Sequence, residues 1–226
     1  MNALIKNGIA KSFTPHFPFK RTNQSSQDRC FYEDGLSEQA LYPAGAPFLG
    51  RQVIPPDNKV QNGSPSFMRP IGHYHLIQSE TFVVTSGSGL WYIRGQARRL
   101  DKGDTIVIPP RVAHTFENLP GSSEPLVIDF RYDKQYREME ERFFRNFFGY
   151  IDDCLKNDVT PSLFQLNIFL FYFCSAGDMI PAPDVFHIRR LVNTIAMLCL
   201  TFIGQVFLGY KSTYPEYYNP TKSKSR

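Results

Sequence analysis

The sequence predicts a mainly β barrel or sandwich followed by C-terminal α-helices. Three observations carry that prediction. Between Phe48 and Tyr132, short runs rich in Val, Ile, Phe, Tyr and Trp recur at intervals of about eight to twelve residues. The breaks between these runs hold turn-forming residues, and after Tyr132 the apolar spacing lengthens from two to about four.

The expected strands are Phe48–Ile54, His73–Leu76, Glu80–Thr85, Leu90–Arg94, Thr105–Ile108, Ala113–Glu117 and Leu126–Tyr132. Ser86-Gly87-Ser88-Gly89, Gly95-Gln96, Asp101-Lys102-Gly103-Asp104 and Pro120-Gly121-Ser122-Ser123 separate them. Glycine in these breaks supplies positive φ and proline fixes φ, so each reads as a turn with a mechanism.

Helices follow. Met139, Phe143, Phe147, Ile151 and Leu155 recur every four residues, with Glu138/Arg142 and Glu141/Arg145 as i,i+4 pairs. Thr160-Pro161 reads as a helix start, Thr capping and Pro in the first turn, leading into Leu163–Cys174. A last helix is expected over 184–208, with no charged residue between Arg190 and Lys211. Its length suits a membrane span, whereas Asn193, Thr194, Thr201 and Gln205 suit docking on protein or an interfacial position. The domain organisation expected is an irregular N-terminal arm over 1–45, a barrel over 46–133 and a helical appendage over 134–226, open to membrane association through 184–208.

Composition narrows the function. With 42% hydrophobic residues the chain can build a real core, and a net charge of +4 is spread along the sequence instead of forming one basic face. No nucleic-acid partner is expected. Cys30, Cys154, Cys174 and Cys199 form no C-x-x-C pair, and Met1–Thr14 lacks the uninterrupted apolar run of a secretory signal. A cytoplasmic protein with reduced thiols is expected, membrane-associated if the last helix is an anchor.

Chemistry concentrates between Gly72 and Asn118. His73 and His75 are two apart, so on a strand both imidazoles face one way. Glu80 opens the next strand and can meet them across a hairpin, and His114 opens a later strand of a closed β fold. Three imidazoles and one carboxylate suit a divalent ion of Fe, Mn, Ni, Cu or Zn and leave positions open for water, substrate or dioxygen. Histidines buried for packing alone are the competing explanation, and His16 and His187 read as structural or exposed. On the same inward faces, alternation places Phe82, Val84, Trp91, Ile93, Phe116 and Ile128. Of these, Phe82, Trp91, Ile93 and Phe116 are the candidate substrate pocket, apolar and aromatic, although barrel filling explains most of them better. Tyr92, Arg94, Asp129 and Arg131 are candidates for a polar rim.

The segment resembles the cupin superfamily. The first cupin motif is glycine, five residues, H-x-H, three or four residues, glutamate, six residues and glycine, and His73, His75, Glu80 and Gly87 fall at those spacings. The second is glycine, five residues, P-x-G, two residues, histidine, three residues and asparagine, matched by Gly103, Pro109, His114 and Asn118. Phe67 stands where the first motif begins with glycine, and Arg111 replaces the glycine of P-x-G, which predicts a strained backbone there. The resemblance covers about Phe48 to Tyr132. It implies a jelly-roll barrel, a double-stranded β-helix, holding one metal ion on His73, His75, Glu80 and His114. Fe(II) is the first choice of metal, and Glu80 doubles as a candidate general base. Gly209-Tyr210-Lys211 and Tyr214-Pro215-Glu216-Tyr217, after two apolar helices, are similar to a group of fungal single-domain cupins encoded beside polyketide genes. That likeness implies an oxidoreductase, or more narrowly a dioxygenase, that tailors a small hydrophobic or aromatic secondary metabolite. A redox-neutral isomerase, cyclase or decarboxylase, and a noncatalytic binding module, are the alternatives, and a homodimer is a further expectation.

Overall fold

A computed structural model describes residues 20–57, 65–183 and 187–223. These divide into a β unit over Gln27–Arg137 and a helical unit that joins residues 20–26 to the chain from Glu138 onward.

The β unit holds ten strands: β1 Arg29–Tyr32, β2 Ser37–Leu41, β3 Gly50–Ile54, β4 His73–His75, β5 Glu80–Ser86, β6 Ser88–Ile93, β7 Gln96–Asp101, β8 Thr105–Ile108, β9 His114–Asn118 and β10 Leu126–Tyr132. One sheet runs β1-β2-β3-β10-β5-β8, and within this unit the other runs β4-β9-β6-β7, all antiparallel. The two inner faces pack on each other, as the contact of Phe82 on β5 with Trp91 on β6 and Phe116 on β9 shows. Alternation decides what is buried: Phe82, Val84, Trp91, Phe116, Ile128 and Phe130 are each at most 4% exposed.

The structure corrects two expectations in the β unit. Residues 29–41, expected in the irregular arm, supply β1 and β2. β1 buries only Cys30 and Tyr32, too short a run to register, and β2 buries Ser37 and Gln39 through side-chain bonds: Gln52 Nε2 donates to Gln39 Oε1 at 2.9 Å, and the Ser37 and Ser66 hydroxyls both donate to Glu33. β7 lies where the sequence suggests only a connection, because its residues are almost all exposed. It pairs with β6 through Arg94-Gly95, both at positive φ (51° and 81°), the backbone signature of a type I′ hairpin.

In the helical unit, α1 spans Arg137–Lys156, α2 Leu163–Tyr172 and α3 Ile188–Val206, with a short strand, β11, at Ser175–Gly177. Phe143 stacks on Phe173 with ring centroids 4.0 Å apart, and Ile168 and Phe169 are buried. The cap of α2 is Ser162, not Thr160. Leu155, expected on the packed stripe, is exposed. Of the last helix expected over 184–208, positions 184–186 lie outside the described residues. No helix among the described residues is long and apolar enough to cross a membrane. The face of α3 that docks carries Asn193, Met197, Thr201 and Gly204, and a Cβ on Gly204 would sit 2.9 Å from Ile168 Cδ1.

Candidate metal centre

The site is assembled by register. His73 on β4 stands opposite His114 on β9, His114 is also opposite Ile93 on β6, and Glu80 on β5 is opposite Tyr132 on β10. Strand geometry thus gathers the four residues from three strands into one layer, and one potential ligand atom from each of His73, His75, Glu80 and His114 lies within 4.8 Å of all the others. His75, Glu80 and His114 are at most 4% exposed. His73 is half-buried and reaches the edge.

Hydrogen bonds orient the donors. His73 Nδ1 donates to the Ile71 carbonyl at 2.9 Å and His114 Nδ1 to the Val112 carbonyl at 3.0 Å. A carbonyl can only accept, so in the neutral ring each Nδ1 carries the proton and Nε2 presents its lone pair. His75 Nε2 and His114 Nε2 each lie 3.1 Å from Glu80 Oε2. The other oxygen, Oε1, accepts the Tyr132 hydroxyl at 2.8 Å.

Charge follows from these neighbours. Burial, then the His114 and His75 imidazoles, hold His73 well below the ordinary imidazole range. Burial alone would push Glu80 upward, but the His75 imidazole and the hydrogen bonds with His114 and His75 override it and keep the carboxyl well below its usual value. His75 Nε2 and His114 Nε2 can each share a proton with Glu80 Oε2 at 3.1 Å, or give that proton up to a cation held by all three. The residues fit a divalent ion, and their nitrogen and oxygen donors are compatible with iron, manganese, nickel, copper or zinc.

One step further along the strands, about 7 Å away, lies an aromatic layer. Trp91 stacks on Phe116 at 5.5 Å, and Phe82 meets Phe116 edge-on at 5.0 Å. Ile93 belongs to the ligand layer itself, beside His114. The polar rim expected from the sequence is not at the site. Tyr92 turns to the opposite face and donates to Glu117, Asp129 is held there by Arg51 and Tyr42, Arg131 also faces outward, and Arg94 occupies the hairpin turn. His16 lies outside the described residues, and His187 is exposed at the start of α3.

Tyr132 joins the site without having been a candidate. Its signal is its place two residues beyond Phe130 in the same alternation, useful only once β10 is known to pair with β5. Arg111 behaves as expected: its φ is 64°, and its backbone N–H donates to the His75 carbonyl at 2.7 Å, tying the second motif to the first. A surface hollow of about 480 Å³ lined by Leu76, Ile77, Pro110, Arg111 and Lys134 opens on the loops that follow His75 and precede His114. A larger one of about 580 Å³ lies around Gly87, Asp101 and Gly121 and includes none of the four residues.

Two facing antiparallel sheets enclosing a cluster of three histidines and one glutamate define a β-barrel of the jelly-roll class with a candidate metal site. Residues 64–128 match the Cupin domain family. The chain is 31% identical over 155 residues to a probable oxidoreductase of Hypocrea virens, covering 67% of this chain and 69% of that protein. It is 30% identical over 198 residues to an oxidoreductase of Pestalotiopsis fici, covering 85% and 94% respectively. A solved cupin-like protein of Thermotoga maritima shares 25% identity over 51% of this chain and 79% of its own, with a TM-score of 0.32. On the fungal relatives and the family match, the chain belongs to the cupin superfamily.

Proposed function

We infer that the protein is a metal-dependent oxidoreductase acting on a small hydrophobic or aromatic molecule inside the barrel. The observation that carries this reading is the convergence of His73, His75, Glu80 and His114 directly above the Phe82, Trp91 and Phe116 layer. A bound divalent ion would supply Lewis acidity and, as Fe(II), electron transfer and dioxygen chemistry. The three imidazoles would hold it through Nε2, with their tautomers fixed by the backbone at His73 and His114. Glu80 would offer a carboxylate oxygen as the fourth ligand and is the candidate general base, and Tyr132 fixes the orientation of that carboxylate.

The wall chemistry supports a flat apolar substrate bearing an oxygen. Trp91 is fully buried, and its Nε1–H has no acceptor among the described residues. Such an orphan costs about 1–3 kcal/mol unless a ligand supplies the acceptor. The fungal relatives named as oxidoreductases favour redox chemistry, and tailoring of a polyketide-like metabolite, with dioxygenation as its specific form, is the narrower reading carried over from the motif resemblance. The Glu80–Tyr132 pair would also serve a redox-neutral isomerase, cyclase or decarboxylase.

The test is oxygen uptake by metal-stripped protein reloaded with Fe(II) or Zn(II) and offered a panel of phenolic and polyketide-type compounds. Uptake that requires both Fe(II) and an organic substrate is expected. Turnover without oxygen, equal with either metal, would replace this reading by the redox-neutral one; tight binding without turnover would make the barrel a binding module.

A further inference from the structure

Three connections meet over the metal end of the barrel: 76–79 between β4 and β5, 109–113 between β8 and β9, and 133–136 beyond β10. The hollow of about 480 Å³ is lined from all three, by Leu76 and Ile77, by Pro110 and Arg111, and by Lys134. Leu76 follows His75 directly, Arg111 precedes His114 by three positions, and Lys134 lies two beyond Tyr132. The hollow therefore adjoins the strand ends that carry the cluster, and its size falls within the roughly 300–1,000 Å³ of small-molecule sites.

Its chemistry is a hydrocarbon wall with two cations. Leu76, Ile77 and Pro110 form the wall, and neither the Arg111 guanidinium nor the Lys134 ammonium forms a salt bridge among the described residues. The one carboxylate on these connections, Asp133, accepts the Ser79 and Lys134 backbone N–H groups, each at 2.9 Å, and the Lys134 ammonium acts on it only through space. Glu80 beneath is committed to His75, His114 and Tyr132. Arg94, in the hairpin turn at the same end, donates its backbone N–H to the Ala113 carbonyl at 2.9 Å and adds a further positive charge.

Arg111 stands there against its backbone preference. Glycine would adopt φ 64° without strain, and the tie to the His75 carbonyl uses the backbone N–H, which glycine also has. The strained residue thus contributes only its side chain, and strain of this kind clusters at ligand clamps. A planar guanidinium matches a carboxylate through two parallel hydrogen bonds, and an ammonium beside it adds a point charge. The apolar wall favours a carboxylate carried on a hydrocarbon body over a free inorganic anion.

We propose that Arg111 and Lys134 seat the carboxylate of an aromatic acid at the mouth of the barrel, with its ring directed toward the cluster. The seat rests on the reading of the barrel as a substrate chamber and narrows the substrate to an acid. Calorimetric titration of the metal-free full-length protein with 2-naphthoate and with neutral 2-naphthamide tests it; leaving out the metal removes direct coordination of the carboxylate by an ion. The acid is expected to bind at least about tenfold tighter than the amide, less so at high salt. Arg111→Gly, which keeps the backbone N–H, and Lys134→Gln should each weaken binding of the acid about fivefold to tenfold and leave that of the amide unchanged, with circular dichroism matching the parent. Equal binding of acid and amide, no binding of the acid, or an acid preference undiminished in both variants would overturn the proposal. Oxygen uptake by the Fe(II)-loaded parent separates the seat from the oxidoreductase reading. Acid preference that depends on Arg111 and Lys134 but comes without uptake retains the seat and rejects redox chemistry, whereas uptake with neutral phenols and no acid preference rejects the seat alone.

Discussion

Tyr132 stands directly opposite Glu80 across the β5–β10 pair and donates its hydroxyl to Glu80 Oε1 at 2.8 Å, while Glu80 Oε2 faces His75 and His114. One carboxylate thus links the imidazole cluster to the strand that closes the barrel. Tyr132→Phe leaves a buried carboxylate oxygen without this donor, which costs about 1–3 kcal/mol of stability. It should also weaken metal binding about 10–100-fold. Metal titration beside urea unfolding checks both, and unchanged metal affinity would show that Tyr132 only packs.

The two motif glycine positions predict opposite effects. Gly87 has φ 71°, and a Cβ there would lie 2.3 Å from the Pro125 carbonyl oxygen, a backbone atom that cannot step aside. Gly87→Ala should cost more than about 2 kcal/mol. Arg111 already bears the strain of φ 64°, so Arg111→Gly should stabilise by about 1 kcal/mol. Thermal and urea unfolding of the pair decide it; a destabilised Arg111→Gly would mean that the arginine side chain compensates its backbone.

Asn193 holds four backbone groups of the Met179–Ile180 segment and of α3 itself. Asn193→Ala should cost about 1–2 kcal/mol, measured as a shifted urea midpoint, because two part-buried backbone donors lose their acceptor. A loss below about 0.5 kcal/mol would place Asn193 with ordinary surface residues.

Stability should fall at alkaline pH. Burial pushes the Cys154 thiol up to about 12, and burial also raises the Tyr150 and Tyr217 hydroxyls, with Asp153 adding to the effect on Tyr217. The folded chain keeps these protons where the unfolded chain, with ordinary values near 9 for the thiol and about 10 for tyrosine, releases them. Their contribution is therefore complete below about pH 9 and is lost progressively above it, by up to about 1.4 kcal/mol per pH unit for each group. Urea midpoints measured across this range should fall, and native tyrosinate absorbance should lag behind that of the unfolded chain. A flat profile would contradict the burial of these groups.

What the sequence revealed depended on which physical signal each residue carried. β5, β6, β8, β9 and β10 were legible because short runs rich in Val, Ile, Phe, Tyr and Trp recur there between turn-forming residues. The four cluster residues were legible because cupin spacing ties them to strand ends. β1 and β2 were not, since Gln39 and Ser37 are buried through side-chain hydrogen bonds that no hydropathy pattern registers. β7 was hidden by its exposure, and Tyr132 by long-range pairing that only the fold supplies. The length of 184–208 suggested a span, but the orientation of α3, polar side in and apolar side out, required the coordinates.

The most direct test of the central claim is metal content by elemental analysis of the purified protein and of His73→Ala, Glu80→Ala and His114→Ala variants whose folding is verified by circular dichroism. About one divalent ion per chain in the parent, falling sharply in each variant, is predicted from the cluster of His73, His75, Glu80 and His114. Folded parent protein that takes up no divalent ion when supplied with Fe(II), Mn(II) or Zn(II), or variants that bind as much as the parent, would contradict it.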